Sequence, residues 1–376
     1  MSIIVKPINP TKSELKKFVQ FGIDHYKGNS CYVPPLVFDE IDSLRPEKNP
    51  AFDFCRAQSF MAYRDDKPVG RITAIINDVV NERTGEKCMR FGWVDFIDDN
   101  EVADALFKAA EDWGRERGMT SIVGPMGFSD MDHEGMLVEG FDEMGTMATI
   151  YNYAYYPEHM TRMGYEKEVD WIEFRITIPD AVPEKHQRIA DVVRRKFNLH
   201  TVKFTSRKKL KEKYGQALFD LINEAYDKLY GFSPLSQRQI DYYIKMYLGF
   251  LRLDNVSVIV DENEKLVGLG ITMPSFSRAL QKSGGKLFPF GWWHILNAMR
   301  GKTDTVDLML IAVSSEYLNK GVNALLFADL IPAYIKNGYK WAETNPELEE
   351  NSSVQLQWQY FGYRQHRRRR AFKKAL

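Results

Sequence analysis

The chain repeats its own element order. Val5-Lys-Pro7 is answered by Val202-Lys-Phe204, Val69-Gly70 by Val267-Gly268, and Gly164-Tyr165 by Gly362-Tyr363, with the partners 197 or 198 residues apart. Three anchors in one order at one offset are the mark of a tandem duplication, so the two halves must share a fold. The 376 residues suit two domains, each of about 190 residues, better than one. Pro179 to Pro183 is the natural break. It predicts an N-terminal domain over residues 1–178 and a C-terminal domain over residues 179–376, the second opened by an extra amphipathic helix from Glu184 to Phe197.

Within each half, strands and helices mix. Ile3–Ile8 reads as a strand, and Thr11–Tyr26 carries helical apolar spacing in Leu15, Phe18, Val19 and Ile23. A short helix ends near Leu44. Gln58–Tyr63 and Val69–Ile76 read as strands around the Asp65-Asp-Lys67 turn, followed by a strand over Met89–Phe96 and a helix from Asn100 to Arg117 that Gly118 ends. In the second half, Val306–Val313 is almost continuously apolar, as a strand buried on both faces would be. Ser314–Lys320 is turn-like, and a helix from about Gly321 to Gly338 contains Pro332. Strand, glycine loop and helix together aim backbone N–H groups and a positive dipole end at an anion, usually a phosphate. The fold class expected is α/β with a mixed sheet.

Lys plus Arg equals Asp plus Glu at 51 each, so the chain has no global basic field for nucleic acid and any anion site must be local. Cys31, Cys55 and Cys88 lack metal-ligand spacing, which predicts free thiols and no metal. The N-terminus has no signal-peptide pattern. The apolar stretch Leu287–Met299, broken by Pro289 and Gly291, is too short to span a bilayer, so the expectation is a cytoplasmic chain without a membrane partner.

Glu316-Tyr-Leu-Asn-Lys-Gly-Val-Asn-Ala-Leu-Leu326 resembles the acyl-CoA loop of the GNAT N-acyltransferase superfamily, whose pattern is Gln or Arg, two residues, Gly, one residue, then Gly or Ala. Gly321 keeps the first glycine. Leu318 stands where Gln or Arg is usual, and Asn323 where the second Gly or Ala is usual. Asn351 to Tyr363 resembles the superfamily's closing helix and its Gly-Tyr exit, and the Arg278–Gly291 segment resembles a poorly characterised bacterial branch of GNAT-like proteins. The resemblance implies two tandem GNAT-like domains and transfer of an acyl group from acetyl-CoA or another acyl-CoA to a small-molecule amine. It places the donor on Leu318, Asn319, Lys320, Gly321, Val322, Asn323 and Ala324, with Asn351, and sets Ile311, Ala312 and Val313 beside the reacting carbonyl.

The same resemblance implies a base on a strand flanking the cleft: Glu343 first, Asp307 second. The acid position falls on Trp358, which cannot donate a proton in that role. Tyr360 or Tyr317 substitutes, or the acid is missing, or the chain binds a ligand without catalysis. A transferase taking an aminoacyl group from tRNA is the remaining alternative, suggested by the duplication and by Arg367–Arg370, which reads as part of a closing hairpin that is solvated or contacts the CoA 3′-phosphate.

Two segments are left for other roles. Lys286-Leu-Phe-Pro-Phe-Gly-Trp-Trp-His294 carries too much aromatic surface for a plain loop, which predicts a lid, a pocket wall or packing between the halves, with His294 a reserve proton carrier. Asp130, Asp132 and Glu134, among the glycines and tyrosines of residues 124–157, predict an amine-binding cleft facing the second half or an interdomain core. At the first-half counterpart of the phosphate loop, Ile97-Asp-Asp-Asn-Glu101 has no glycine and three carboxylates. Carboxylates cap a helix start and repel a pyrophosphate, so the first half is not expected to hold CoA there.

Overall fold

The computed structural model describes residues 2–376, with all their side chains except those of residues 248 and 353. The first half runs β1 (Ile4–Ile8), α1 (Lys12–His25), α2 (Val37–Ser43), β2 (Cys55–Arg64), β3 (Lys67–Asn77), α3 (Asp78–Thr84), β4 (Cys88–Phe96), α4 (Asn100–Arg115), β5 (Ser121–Gly124), β6 (Met136–Glu139), α5 (Tyr155–Arg162) and β7 (Glu166–Thr177). The second runs α6 (Glu184–Lys196), β8 (His200–Val202), α7 (Arg207–Tyr226), α8 (Gln237–Tyr247), β9 (Val256–Val260), β10 (Leu266–Pro274), α9 (Ser277–Ser283), α10 (Gly291–Met299), β11 (Thr305–Val313), α11 (Val322–Lys336), β12 (Trp341–Thr344), β13 (Glu347–Leu348), α12 (Ser352–Gln355) and β14 (Tyr363–Ala375). The duplicated order read from the sequence is present. Strand-forming runs are β-branched and aromatic. Helix starts carry side-chain caps where Thr11, Asp99 and Ser206 accept from the backbone N–H groups of Glu14, Val102 and Lys209.

All fourteen strands form one sheet, in the order β1-β2-β3-β4-β5-β14-β7-β12-β11-β10-β9-β8, with β13 on β7 and β6 on β14. The halves therefore exchange their last strands. β14, from the end of the chain, pairs antiparallel with β5 of the first half, while β7, from the first half, pairs antiparallel with β12 of the second. The two long strands also pair with each other, from Tyr363↔Ile176 to Lys373↔Glu166.

This exchange accounts for Arg367–Arg370, which the sequence reading placed in a hairpin open to solvent or to CoA. They lie in a single 13-residue strand at the centre of the sheet. The side chains of Arg367 and Arg369 are 1% exposed, and both ion-pair with Glu173 of β7, Arg367 Nε at 2.8 Å. Arg368 and Arg370 turn to the opposite face and share Asp170, at 3.2 and 2.8 Å. A cation leaves water only when a buried anion matches it, and the first half's last strand supplies those anions. The expected closing helix after Asn351 is also shorter: α12 has four residues, and a 3₁₀ turn over Trp358–Tyr360 follows. The Gln355 carboxamide donates back to the carbonyls of Leu348 and Glu349, which holds this segment against β13 instead of extending the helix.

Candidate functional site

β11 and β12 run parallel from Thr305↔Trp341 to Leu308↔Thr344 and then separate. Two local causes act together. On one side, the β10–β11 register jumps from Ile271↔Leu310 to Thr272↔Leu308, so Met309 is a bulge that re-aims the strand. On the other, Pro346 follows Thr344 by two residues and has no N–H to continue the ladder. Along the open edge, side chains stand in for a strand. Asn345 Nδ2 donates to the Met309 carbonyl at 2.9 Å, and the Tyr226 hydroxyl donates to the Ile311 carbonyl at 3.1 Å.

A cavity of about 930 Å³ passes through this wedge and is bordered by Ile311, Ala312 and Val313. At one end is the start of α11. Gly321 has φ 81°, a conformation that side chains strain to adopt, and a Cβ there would stand 2.9 Å from Ile189 and 3.2 Å from Val193 of α6. No side chain caps α11, so its first N–H groups and dipole face the cavity. The Asn323 Oδ1 atom is buried without a hydrogen-bond partner. Of the residues expected to hold the acyl donor, Leu318, Asn319, Gly321, Val322, Asn323, Ala324 and Asn351 line the cavity with the three β11 residues. Lys320 does not: its ammonium lies over the rings of Tyr317 and Phe197, at 5.2 and 5.4 Å. An uncapped helix start and a glycine with no room for a side chain fit a diphosphate-bearing ligand.

The other end is acidic. Asp39, Asp130, Asp132 and Glu134 line it, between the wedge and the tyrosines Tyr226, Tyr230, Tyr243 and Tyr247. Burial pushes the Asp130 carboxyl up to about 7, partly opposed by the guanidinium of Arg90. Asp39 rises to about 7 through burial and the neighbouring Glu40, and burial raises Asp132 and, further, Glu134. Arg90 does not close ion pairs with them; it donates to the carbonyls of Gly127 at 3.2 Å and Gly231 at 2.7 Å. Carboxyl groups held near neutrality, with Asp130 Oδ1 and Glu134 Oε2 buried and unpartnered, suit a ligand that brings its own positive charge.

The expected base and acid take other positions. Glu343 does not border the cavity. Its carboxylate sits 2.9 Å from His366 Nε2, 3.3 Å from Arg367 Nη2 and 3.4 Å from Arg175 Nε. Asp307, opposite it in register, is buried and raised to about 7, by burial first and by Glu343 second. Tyr360 borders the cavity and its hydroxyl accepts from Lys185. Trp358 is buried and donates its indole N–H to both carboxyl oxygens of Glu347, at 3.0 and 3.2 Å. Glu347 itself lines the cavity, and burial raises it to about 8, with Trp358 opposing. Sequence reasoning missed Glu347 and Asp39. Glu347 had a signal in Trp358, whose indole needs an acceptor once buried; Asp39 had none. His294 does not border the cavity.

In the first half the corresponding ground is filled. Asp99 caps α4 by accepting from Val102 N and pairs with Arg64 at 2.8 Å. The wedge between β4 and β5, which pair only from Cys88↔Ser121 to Arg90↔Val123, is closed by backbone, where Met126 N donates to the Phe91 carbonyl at 2.8 Å. Gly92 and Gly124 permit this approach, since a Cβ on either would stand 2.6 and 2.3 Å from a carbonyl oxygen.

No family model matches the chain. Two proteins resemble it over nearly their whole length: protein YghO of Escherichia coli K12, 27% identical over 97% of this chain and 94% of that protein, and a bacterial ceramide synthase of Caulobacter vibrioides, 28% identical over 97% and 96%. Among solved structures, a tandem GNAT protein from the clavulanic acid biosynthesis pathway superposes with a TM-score of 0.59 at 12% identity, covering 100% of this chain and 98% of its own. The fold is that of a tandem GNAT protein.

Proposed function

We propose, with the tandem GNAT fold as premise, that this chain transfers an acyl group from an acyl-CoA to the amine of a long-chain amino alcohol, forming an amide. The observation that carries the reading is the cavity that joins an uncapped helix start, an open strand edge and a set of carboxyls that have no ion-pair partner among the described residues. The likeness to a protein named as a ceramide synthase supports the acceptor class, because a ceramide is an N-acylated long-chain amino alcohol. The apolar middle of the cavity, with Leu218, Ile222, Leu251, Met273 and Leu280, offers room for hydrocarbon.

In this mechanism the start of α11 holds the diphosphate of the donor, which supplies an activated thioester. The open edge of β11 orients the carbonyl. Asp130, near neutrality and within electrostatic range of Tyr226, whose hydroxyl marks Ile311, binds the ammonium and takes one proton, which frees the nitrogen lone pair to attack the carbonyl carbon. The C–S bond then breaks as Glu347, protonated below about 8, gives its proton to the departing sulfur and recovers one from the tetrahedral nitrogen, which leaves the amide. Glu343 serves the ion network that joins the halves. A non-catalytic ligand-binding protein remains the rival reading, and turnover separates the two.

The test is to incubate the chain with acyl-CoAs of increasing length and either a long-chain 2-amino alcohol or a short primary amine, and to follow amide by mass spectrometry. Amide from the long-chain acceptor is expected. No amide with any pair, and no rise in melting temperature with any CoA species, would sink the reading. Asp130→Asn should lower kcat by about 10²–10⁴-fold. Glu343→Gln should keep kcat per folded molecule and lose about 3 kcal/mol of stability as its buried cations lose their partner. With Asp130 acting deprotonated above about 7 and Glu347 protonated below about 8, kcat/KM should follow a narrow bell between those values. Glu347→Gln should remove the alkaline limb, and Tyr360→Phe should leave it in place.

A further inference from the structure

α9 and α10 form a helical hairpin whose connecting turn is pushed outward. Leu280, Ala279, Ile295 and Ala298 anchor the two helices in the core. The turn is tight, since Gly291 passes so close to the Lys286 carbonyl oxygen that a Cβ would stand 1.7 Å from it. At the tip, Phe288 and Phe290 are 79% and 73% exposed, and Trp292 and Trp293 are each 46% exposed. The sequence-level expectation that these rings would cover a pocket or pack between the halves is therefore corrected: they face out. Four large aromatics on one turn form an apolar patch that water disfavours.

Charge identifies the occupant. Between Ser275 and Thr303 there are five basic residues and no acidic one, in a chain whose charges cancel overall. Arg278, Lys282, Lys286, Arg300 and Lys302 are all exposed, and among the described residues none has an ion-pair partner. We propose that the exposed Phe288-Pro-Phe-Gly-Trp-Trp293 turn and its basic surround dock the protein on the surface of an anionic phospholipid bilayer. Tryptophan and phenylalanine settle at the level of the headgroups, and each lysine or arginine held near the anionic surface strengthens binding about fivefold. No described helix is long and apolar enough to cross a membrane, so this is attachment to one face.

The position suits delivery. Leu280 of α9 lines the cavity, as do Pro35 and Leu36, and Val37 N donates to the Gly285 carbonyl between the two helices at 3.0 Å. The hairpin that touches the bilayer is thus also part of the wall of the space read as the lipid-amine site. Docking itself is independent of that reading, since it is measured without substrate.

The full chain is mixed with vesicles of phosphatidylglycerol and phosphatidylcholine, or of phosphatidylcholine alone, and sedimented. Binding to the anionic vesicles, a blue shift in tryptophan emission, quenching by lipids brominated on the acyl chain and weakening in salt are expected. The double variant Phe288→Ser/Phe290→Ser should bind at least about tenfold less, and Lys282→Gln/Lys286→Gln about twenty-five-fold less, on the fivefold increment per charge. Melting temperatures unchanged from the parent would establish that both variants fold. Recovery of the parent in the supernatant with anionic vesicles would overturn the proposal. So would unchanged vesicle binding in the aromatic variant. A dimer without vesicles that becomes a monomer in that variant would assign the turn to contact between copies instead and overturn it as well.

Discussion

Asp307 illustrates how a residue can be strained by its protonation state. In the fold it prefers to be neutral, raised to about 7, while in the unfolded chain it titrates near 4. Between those values the folded state binds the proton that the unfolded state has released. Stability should therefore fall as pH rises through about 4 to about 7 and stay low above. Asp307→Asn removes the cost, so it should raise the melting temperature at pH 8 and change it little at pH 4. An equal gain at both would refute the account. The contrast with Glu343 is instructive. The sequence reading ranked Glu343 first as base and Asp307 second because both belong to strands flanking the cleft, and their strands do neighbour one another. That neither borders the cavity was not readable, since Glu343 is held by His366 and Arg367 of β14 and by Arg175 of β7, which the exchange of strands brings to it. Asp130 was readable as one of an acidic group near glycines and tyrosines. That it forms no ion pair becomes visible only once Arg90 is seen donating to carbonyls.

At the scale of elements, the loop before α11 was legible because glycine punctuation and helical apolar spacing are local signals. Gly321 is needed twice there, for its left-handed backbone and for the absent Cβ beside Ile189. Gly321→Ala should cost about 1 kcal/mol in stability and weaken CoA binding by displacing α6. Gly321→Glu should abolish binding, since its carboxylate would occupy the anion position. Isothermal titration with CoA checks both, and Asp99→Gly in the first half, where cap and backbone already fill the ground, should leave the measured affinity unchanged. The bulge at Met309 was not legible. A one-residue slip in register leaves no trace in an apolar run, because every residue there is compatible with either face of a strand buried on both sides. The aromatic turn was legible as an anomaly, but its direction was not, because exposure is decided by the anchoring of the flanking helices.

For the whole molecule, the repeat showed that the halves share an element order, and pairing partners lay beyond its reach. Two equivalent final strands can each close their own half or trade places, and the sequence of either half fits both outcomes. The seam settles it, with Glu173 and Asp170 of β7 facing the arginines of β14. We expect residues 1–178 and 179–376, expressed apart, to be insoluble or poorly structured by circular dichroism, and to regain structure when coexpressed. The intact chain should unfold in one transition by calorimetry, and two separated transitions would count against a shared sheet. The exchange also orders events during synthesis. β5 is complete at Gly124, yet the strand that pairs beside it begins only at Tyr363. The first half must wait with an open sheet edge while more than two hundred residues are added, an edge ready to pair with a neighbouring nascent chain. Removal of β14 would therefore be felt first in the half that was made first.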